Sequence, residues 1–243
     1  SSWCSSKIDE MTFTIEKAFA ALDSGDYEKA WASCDFFKSK SEHSALCNLI
    51  QGVMLFHGLG RESDQDWGKK LLERAADAGL KNATLELASI SIDAKKIGNT
   101  LNITNTLEGL TRSSSATLEQ KGRAFMLLGN LEKRLQDDRS SGRNYYDTKK
   151  LYQKSIDLRY WPAYVAMGFL YDENKVGMLT VDRFEKALDF FKVAGKHNVM
   201  GAYPKLCEYF ATGKGTSVNK SEASRWCTKA VDSGHAQSMT YLN

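Results

Sequence analysis

Two stretches of the chain repeat one order of apolar, small, aromatic and polar positions. Starting at Ala163 and at Ala202, both open Ala-Tyr. Each then places an apolar residue four positions on (Met167, Leu206), a small one at five (Gly168, Cys207) and an aromatic at eight (Tyr171, Phe210). Positions four, five and eight share one face of a helix, so each stretch predicts an amphipathic first helix, helix A. The small residue on that face lets a partner helix approach closely. A glycine-containing turn follows, then a second helix, B, with Ala187 or Ala223 and an aromatic three residues later, Phe190 or Trp226. Both stretches end on glycine, Gly195 and Gly234, and with Gly79 upstream these predict left-handed caps that stop helix B.

The same frame returns upstream. Cys47 opens a close copy ending at Gly79, Ala124 a looser one, and Ala83 the most degenerate. A further start at Ala236 is cut short by the end of the sequence at Asn243. Ahead of all of them, Gly25-Asp26-Tyr27-Glu28-Lys29-Ala30 matches the opening of a helix B. A recurring period of 34 to 41 residues is the signature of stacked helical hairpins. One hairpin cannot cover its own apolar faces, and the next one does. Gly58 and Gly60, like Gly213 and Gly215, supply positive φ for the turn between A and B. The expected fold is all-α, an α-α solenoid of five to six antiparallel helix pairs. Its copies fall near 12–46, 47–82, 83–123, 124–162, 163–201 and 202–235, with a terminal helix over 236–243, after an extension over 1–11. Residues 98–117 are rich in Thr, Asn and Ser, and predict a longer loop or a distorted copy. The two prolines, Pro162 and Pro204, fall at helix starts, where proline is tolerated.

These positions resemble the Sel-like repeat family, a relative of the tetratricopeptide repeats. The copy from Cys47 supplies Gly52, Leu55, Gly58, Gly60, Asp66, Ala75, Ala76, Gly79 and Ala83 of the family pattern. The copy from Ala202 supplies Phe210, Gly213, Gly215, Ala223, Trp226, Lys229, Ala230 and Gly234. The resemblance covers most of the chain from about residue 12 and implies a protein-binding scaffold whose helix A faces line a groove. In the tetratricopeptide register the groove positions are Leu49, Val53 and Phe56 in one copy, Met126, Asn130 and Lys133 in another, and Val165, Phe169 and Asp172 in a third. A register error of one position would turn each by 100° towards the core.

Charge and chemistry narrow the function further. The net charge is +3, with basic residues scattered. Lys69-Lys70 and Lys149-Lys150 fit solvated helix faces better than phosphate sites, and no basic run interleaves with aromatics, so nucleic acid is not an expected partner. No apolar run reaches the roughly 18 residues of a membrane span. No signal peptide is visible, and the start at Ser1-Ser2-Trp3-Cys4 without an initiator Met suggests a processed or truncated chain. Gly213-Lys214-Gly215-Thr216-Ser217 lacks phosphate-loop spacing. The histidines His43, His57, His197 and His235 form no metal or acid–base pair, and no nucleophile elbow or zinc motif occurs. No catalysis, metal or cofactor is expected.

The five cysteines are Cys4, Cys34, Cys47, Cys207 and Cys227, without a C-x-x-C. Cys34 with Cys47, and Cys207 with Cys227, fall on helices that should be neighbours. Either pair fits a disulfide or two buried thiols. Cysteine-rich secreted bacterial relatives bridge consecutive helices, and that likeness implies an oxidising compartment, first of all a bacterial periplasm, with the cytoplasm as the alternative. Cys4 is left over as an unpaired thiol, a remnant or a lipidation site, although Ser2-Trp3 is a poor lipobox. The resemblance then implies a partner protein: an immunity or inhibitor protein against a secreted toxin, or an envelope, secretion or virulence adaptor. Some extracellular relatives are tied to β-lactam compounds, which adds a ligand-binding or weakly hydrolytic alternative. A monomer is expected, although the short last copy over Ala236–Leu242 offers either a cap or an end for self-stacking.

Overall fold

The periodicity resolves into helices whose ends are set by identifiable caps. The computed structural model describes residues 18, 20–37, 44–176 and 182–242, and among these residues there is no β-strand. The helices are α1 (Tyr27–Phe37), α2 (Ser44–His57), α3 (Gln65–Asp77), α4 (Lys81–Asp93), α5 (Thr100–Arg112), α6 (Leu118–Asp137), α7 (Tyr146–Asp157), α8 (Pro162–Asp172), α9 (Arg183–Lys196), α10 (Tyr203–Thr212) and α11 (Lys220–Asp232). Cys4, His43 and the extension over 1–11 lie outside the described residues.

The chain divides into two compact units between Gly98 and Asn99, inside the frame that opens at Ala83. In the first unit each helix packs on the next, from α1 to α4, and α2 also touches α4. Its cores hold Ala30, Cys34, Cys47, Ile50 and Met54 on one side of α2. On the other side lie Leu49, Leu72, Ala75 and Ala83. In the second unit the pairs α6/α7, α8/α9 and α10/α11 stack in order, with α5 packed on α6 and α6 touching α8. One continuous core runs from Tyr152 and Ile156 through Met167, Leu170 and Phe191 to Leu206, Trp226 and Ala230. Removing a side chain of the size of Phe191 from water stabilises by about 1.5–3 kcal/mol, so this shared core is what makes separate hairpins cohere.

The copies that open at Cys47 and Ala202 share one turn geometry. Gly58 and Gly60 take φ of 66° and 69°, Gly213 and Gly215 of 73° and 69°. In the first, Leu59 N donates to Met54 O at 2.9 Å and Asp64 N to Leu55 O at 2.9 Å. In the second, Lys214 N donates to Tyr209 O at 3.0 Å and Asn219 N to Phe210 O at 2.9 Å. Asp64 and Asn219 then cap helix B by accepting from Trp67 N and Glu222 N. These side chains satisfy amides that the helix start leaves without a partner.

Three expectations change. Of the two alternatives for residues 98–117, a longer loop or a distorted copy, the loop is the one that fails, because Thr100–Arg112 is helical. Asn99 caps it by accepting from Asn102 N at 3.0 Å, and Ile103, Leu107 and Leu110 form a buried stripe. Gly195 is not a left-handed cap: α9 runs on to Lys196 and Asn198 takes the positive φ of 59°. A Cβ on Gly195 would lie 2.6 Å from Leu206 Cδ1 and 2.9 Å from Trp226 Cη2, so this glycine permits contact with the next hairpin. The segment Ala236–Tyr241 closes the second unit as a 3-10 helix packed on α10 and α11 rather than as an α-helix.

Candidate functional site

The A helices of the second unit carry two clusters of paired charges. Asp172, at the last turn of α8, is 11% exposed. It accepts from Lys205 Nζ at 3.0 Å and Lys214 Nζ at 3.2 Å, and from the Tyr209 hydroxyl. Both lysines also reach Glu208, at 3.3 and 3.8 Å. Burial alone would raise the Asp172 carboxyl, but the hydrogen bonds from Tyr209 and Lys205 hold it below the ordinary aspartate range. The same surroundings raise the Lys205 ammonium and, strongly, the Tyr209 hydroxyl: burial lowers the first and raises the second, while the Asp172 carboxylate raises both.

A second cluster sits at the end of α6. Asp137 accepts from Tyr145 Oη at 2.6 Å and Lys175 Nζ at 2.8 Å. Lys133 lies 3.4 Å from both Asp137 and Glu173, and Lys175 reaches Glu173 at 2.8 Å. Asp137 is also held below its ordinary range: burial opposes this, and the bonds from Lys175 and Tyr145 overcome it. Asn130 accepts from the buried Tyr152 hydroxyl at 2.6 Å. Between these polar groups lie half-buried apolar side chains, Met126, Val165 and Phe169, packed on the shared core. The Phe169 ring meets Phe191 edge-on at 5.5 Å, and Lys205 Nζ stands 5.5 Å from its centroid.

Six of the nine sequence-predicted groove residues lie on these A helices, Met126, Asn130 and Lys133 on α6 and Val165, Phe169 and Asp172 on α8. The other three lie on α2 in the first unit. There Leu49 is 6% exposed and packs with Leu72, Ala75 and Ala83, so it serves the core. Val53 packs partly on the same cluster, and Phe56 is half-buried beside His57. His57 pairs with Glu86 at 3.0 Å between α2 and α4. His197 stacks on Trp161 at 3.6 Å, and His235 bonds Ser238 at 2.9 Å.

Sequence reasoning missed Asp137, Tyr145, Lys175, Lys205, Glu208, Tyr209 and Lys214. A usable signal was present. Asp137 and Lys175 are 38 residues apart, Asp172 and Tyr209 are 37, and Asp172 and Lys205 are 33. These separations are close to one repeat, so a carboxylate and a Lys or Tyr donor offset by about a repeat mark neighbouring hairpins.

Of the two candidate cysteine pairs, Cys207 on α10 and Cys227 on α11 are joined, with a Cα–Cα distance of 4.6 Å. Cys34 and Cys47 lie as buried thiols in one core cluster on α1 and α2. Among the described residues no group of three or more His, Cys, Asp or Glu is placed to hold a metal ion, and no helix is long and apolar enough to cross a membrane.

No family model and no curated protein matches the chain. Solved structures do. A Sel1 repeat protein from Oxalobacter formigenes is similar over 94% of this chain and 86% of its own, at 16% identity and a TM-score of 0.52. The chain carries the Sel1-like repeat fold. A protective antigen of uropathogenic Escherichia coli strains, which displays that same fold, is similar over 93% of this chain at 19% identity and a TM-score of 0.52. This chain spans 48% of that antigen. In Sel1-like terms, α2/α3, α6/α7, α8/α9 and α10/α11 are the A/B pairs, and the ion clusters occupy the A helices α6, α8 and α10.

Proposed function

We propose that this Sel1-like repeat protein is a non-catalytic scaffold that binds a partner protein on the helix A face of its second unit. The observation that carries this reading is the pair of ion clusters, Lys133 with Asp137 and Lys205 with Asp172, on the A helices that also carry half-buried Phe169 and Val165. Charges already paired at fixed positions, around an apolar centre, give a partner a pre-organised polar rim with little ordering cost. No group in these clusters combines a nucleophile with a general base, so binding, and not turnover, is the activity assigned to them.

The test places a photo-crosslinking residue at Val165 or Lys133, and at Asp189 or Lys192 on α9 as controls. Discrete adducts at the first two positions, absent at the controls, support the reading. The same pattern at all four positions overturns it.

The Cys207–Cys227 bridge supports export to an oxidising compartment such as a bacterial periplasm. Within that setting the narrower form of the reading is an immunity or inhibitor protein that neutralises a secreted toxin. Alkylation before and after reduction, read by intact mass, checks the first step. Free reaction of Cys207 and Cys227 in protein taken from its natural source would remove the support for export.

A further inference from the structure

The two lysines of Lys149-Lys150 look in sequence like an ordinary solvated face, but the fold gives them company. They lie in the first turns of α7, on the wall of a cleft of about 910 Å³ between the α6–α7 connection and residues 174–176. That volume is within the roughly 300–1,000 Å³ of ligand sites. Arg143 enters it from the preceding connection and Lys175 from the next hairpin, with Tyr145 and Tyr146 between. No Asp or Glu is among the described residues lining it. Lys175 is neutralised by Asp137 and Glu173, but among the described residues no carboxylate pairs with Arg143, Lys149 or Lys150.

We propose that this cleft docks an acidic segment of a partner protein, with carboxylates on Arg143, Lys149 and Lys150 and an apolar or aromatic side chain on Tyr146. Tyr146 is 68% exposed, so its ring is open to a partner. Tyr and Arg are enriched where proteins meet. The wall is held in advance of any ligand. Gln136, 6% exposed, accepts from Asn144 N at 3.0 Å and Arg139 Nη1 at 3.3 Å, and donates to Glu132 at 2.8 Å. Tyr145 is tied to Asp137. A wall fixed in this way lowers the ordering cost of binding. A small-molecule site encloses most of its ligand, whereas here Arg143, Tyr146 and Lys150 stand exposed along an open rim, which suits an extended chain. The cleft shares Tyr145 and Lys175 with the Asp137 cluster, but Tyr146, Lys149 and Lys150 take no part in the clusters assigned above, so variants at these three let the two readings fail separately.

The test is fluorescence anisotropy with a fluorescein-labelled peptide of Glu and Tyr residues, against the same peptide with Gln for Glu. The variants are Lys149→Gln with Lys150→Gln, Tyr146→Ala, and, as a charge-matched control in the first unit, Lys69→Gln with Lys70→Gln. Circular dichroism confirms that each is folded. The Lys149/Lys150 variant should weaken binding about tenfold and Tyr146→Ala about threefold, with the control within about twofold of the parent. Equal weakening by both lysine variants makes the attraction one of net charge and overturns the proposal. Equal binding of the Gln peptide overturns its acidic chemistry. No binding of the Glu/Tyr peptide, with citrate binding seen by calorimetry and lost in the Lys149/Lys150 variant, also overturns it, in favour of a small polyanion.

Discussion

The hairpins α2/α3 and α10/α11 have the same turn and the same frame, yet they close at the same position by opposite means. Position five of helix A is Gly52 in the first and Cys207 in the second. At Gly52 a Cβ would lie 2.8 Å from Leu72 Cγ and 3.0 Å from Gly68 O. The facing residue, Gly68, would place its Cβ 2.6 Å from Phe56 N and 2.8 Å from Gly52 O. The backbones of α2 and α3 therefore meet because neither has a side chain there. In α10/α11 the same small position is bridged covalently, Cys207 to Cys227. The two middle pairs use a third solution, with Gly129 under the Tyr152 ring and Gly168 under the Phe191 ring. In each, a ring carbon lies 2.5 Å from where a Cβ would stand. The repeat keeps a point of close approach, and leaves open what fills it.

That contrast is easiest to break at the disulfide. Cys207→Ala with Cys227→Ala should lower stability by about 3 kcal/mol, since the bridge closes a 20-residue separation in the unfolded chain. Thermal melting with and without reductant checks this. Reductant should lower the melting temperature of the parent and leave the variant where it is.

Gly68→Ala comes next, at about 2–3 kcal/mol, because the new methyl meets backbone that cannot turn aside. Gly109→Ala on α5 has nothing within 4 Å and should instead stabilise by about 0.5–1 kcal/mol. Urea midpoints of opposite sign are expected, and a harmless Gly68→Ala would mean that the close approach is not what holds α2 to α3.

Asp172→Asn should cost about 1–2 kcal/mol at neutral pH, through weakened bonds to Tyr209, Lys205 and Lys214. Asp172 is held below the ordinary aspartate value of 3.8. Its contribution is therefore complete above that value and is lost as pH falls through the lower folded value. The parent and Asp172→Asn should converge in stability at the acid end. A gap unchanged into strong acid would show that the carboxylate is not its source.

The smallest effect sharpens the comparison. Gly52→Cys with Leu72→Cys transplants the second solution into the first hairpin. The closeness of the Gly52 Cβ position to Leu72 Cγ favours closure. Loss of two hydrogens in intact mass, with a net gain of at most about 1 kcal/mol after the lost Leu72 packing, is the expected outcome.

Particular residues show where sequence reasoning was enough. Gly58, Gly60, Gly213 and Gly215 have the positive φ that a short A–B turn needs, a requirement local to a few residues. The polar stretch 98–117 was harder, because three apolar residues, Ile103, Leu107 and Leu110, suffice for a helix packed on one side only. Gly195 misled because a glycine near a helix end fits both a left-handed cap and a close contact, and only Leu206 and Trp226, from the next hairpin, decide between them. In the site, Asp172, Lys133 and Asn130 could be placed on a face by counting, but the lysines and tyrosines that complete the clusters come from other helices.

The sequence by itself determined the all-α repeat, the A–B hairpin, its glycine turns and the small residue at position five, because periodicity and backbone freedom act over a few residues. Only the tertiary structure decided which side chain meets that small residue, which of the two cysteine pairs is bridged, and which charges pair across neighbouring helices. Those outcomes depend on ångström distances between side chains on different helices, which periodicity does not set: Leu72 and Cys227 both follow position five of their helix A by 20 residues, yet one packs there and the other is bonded.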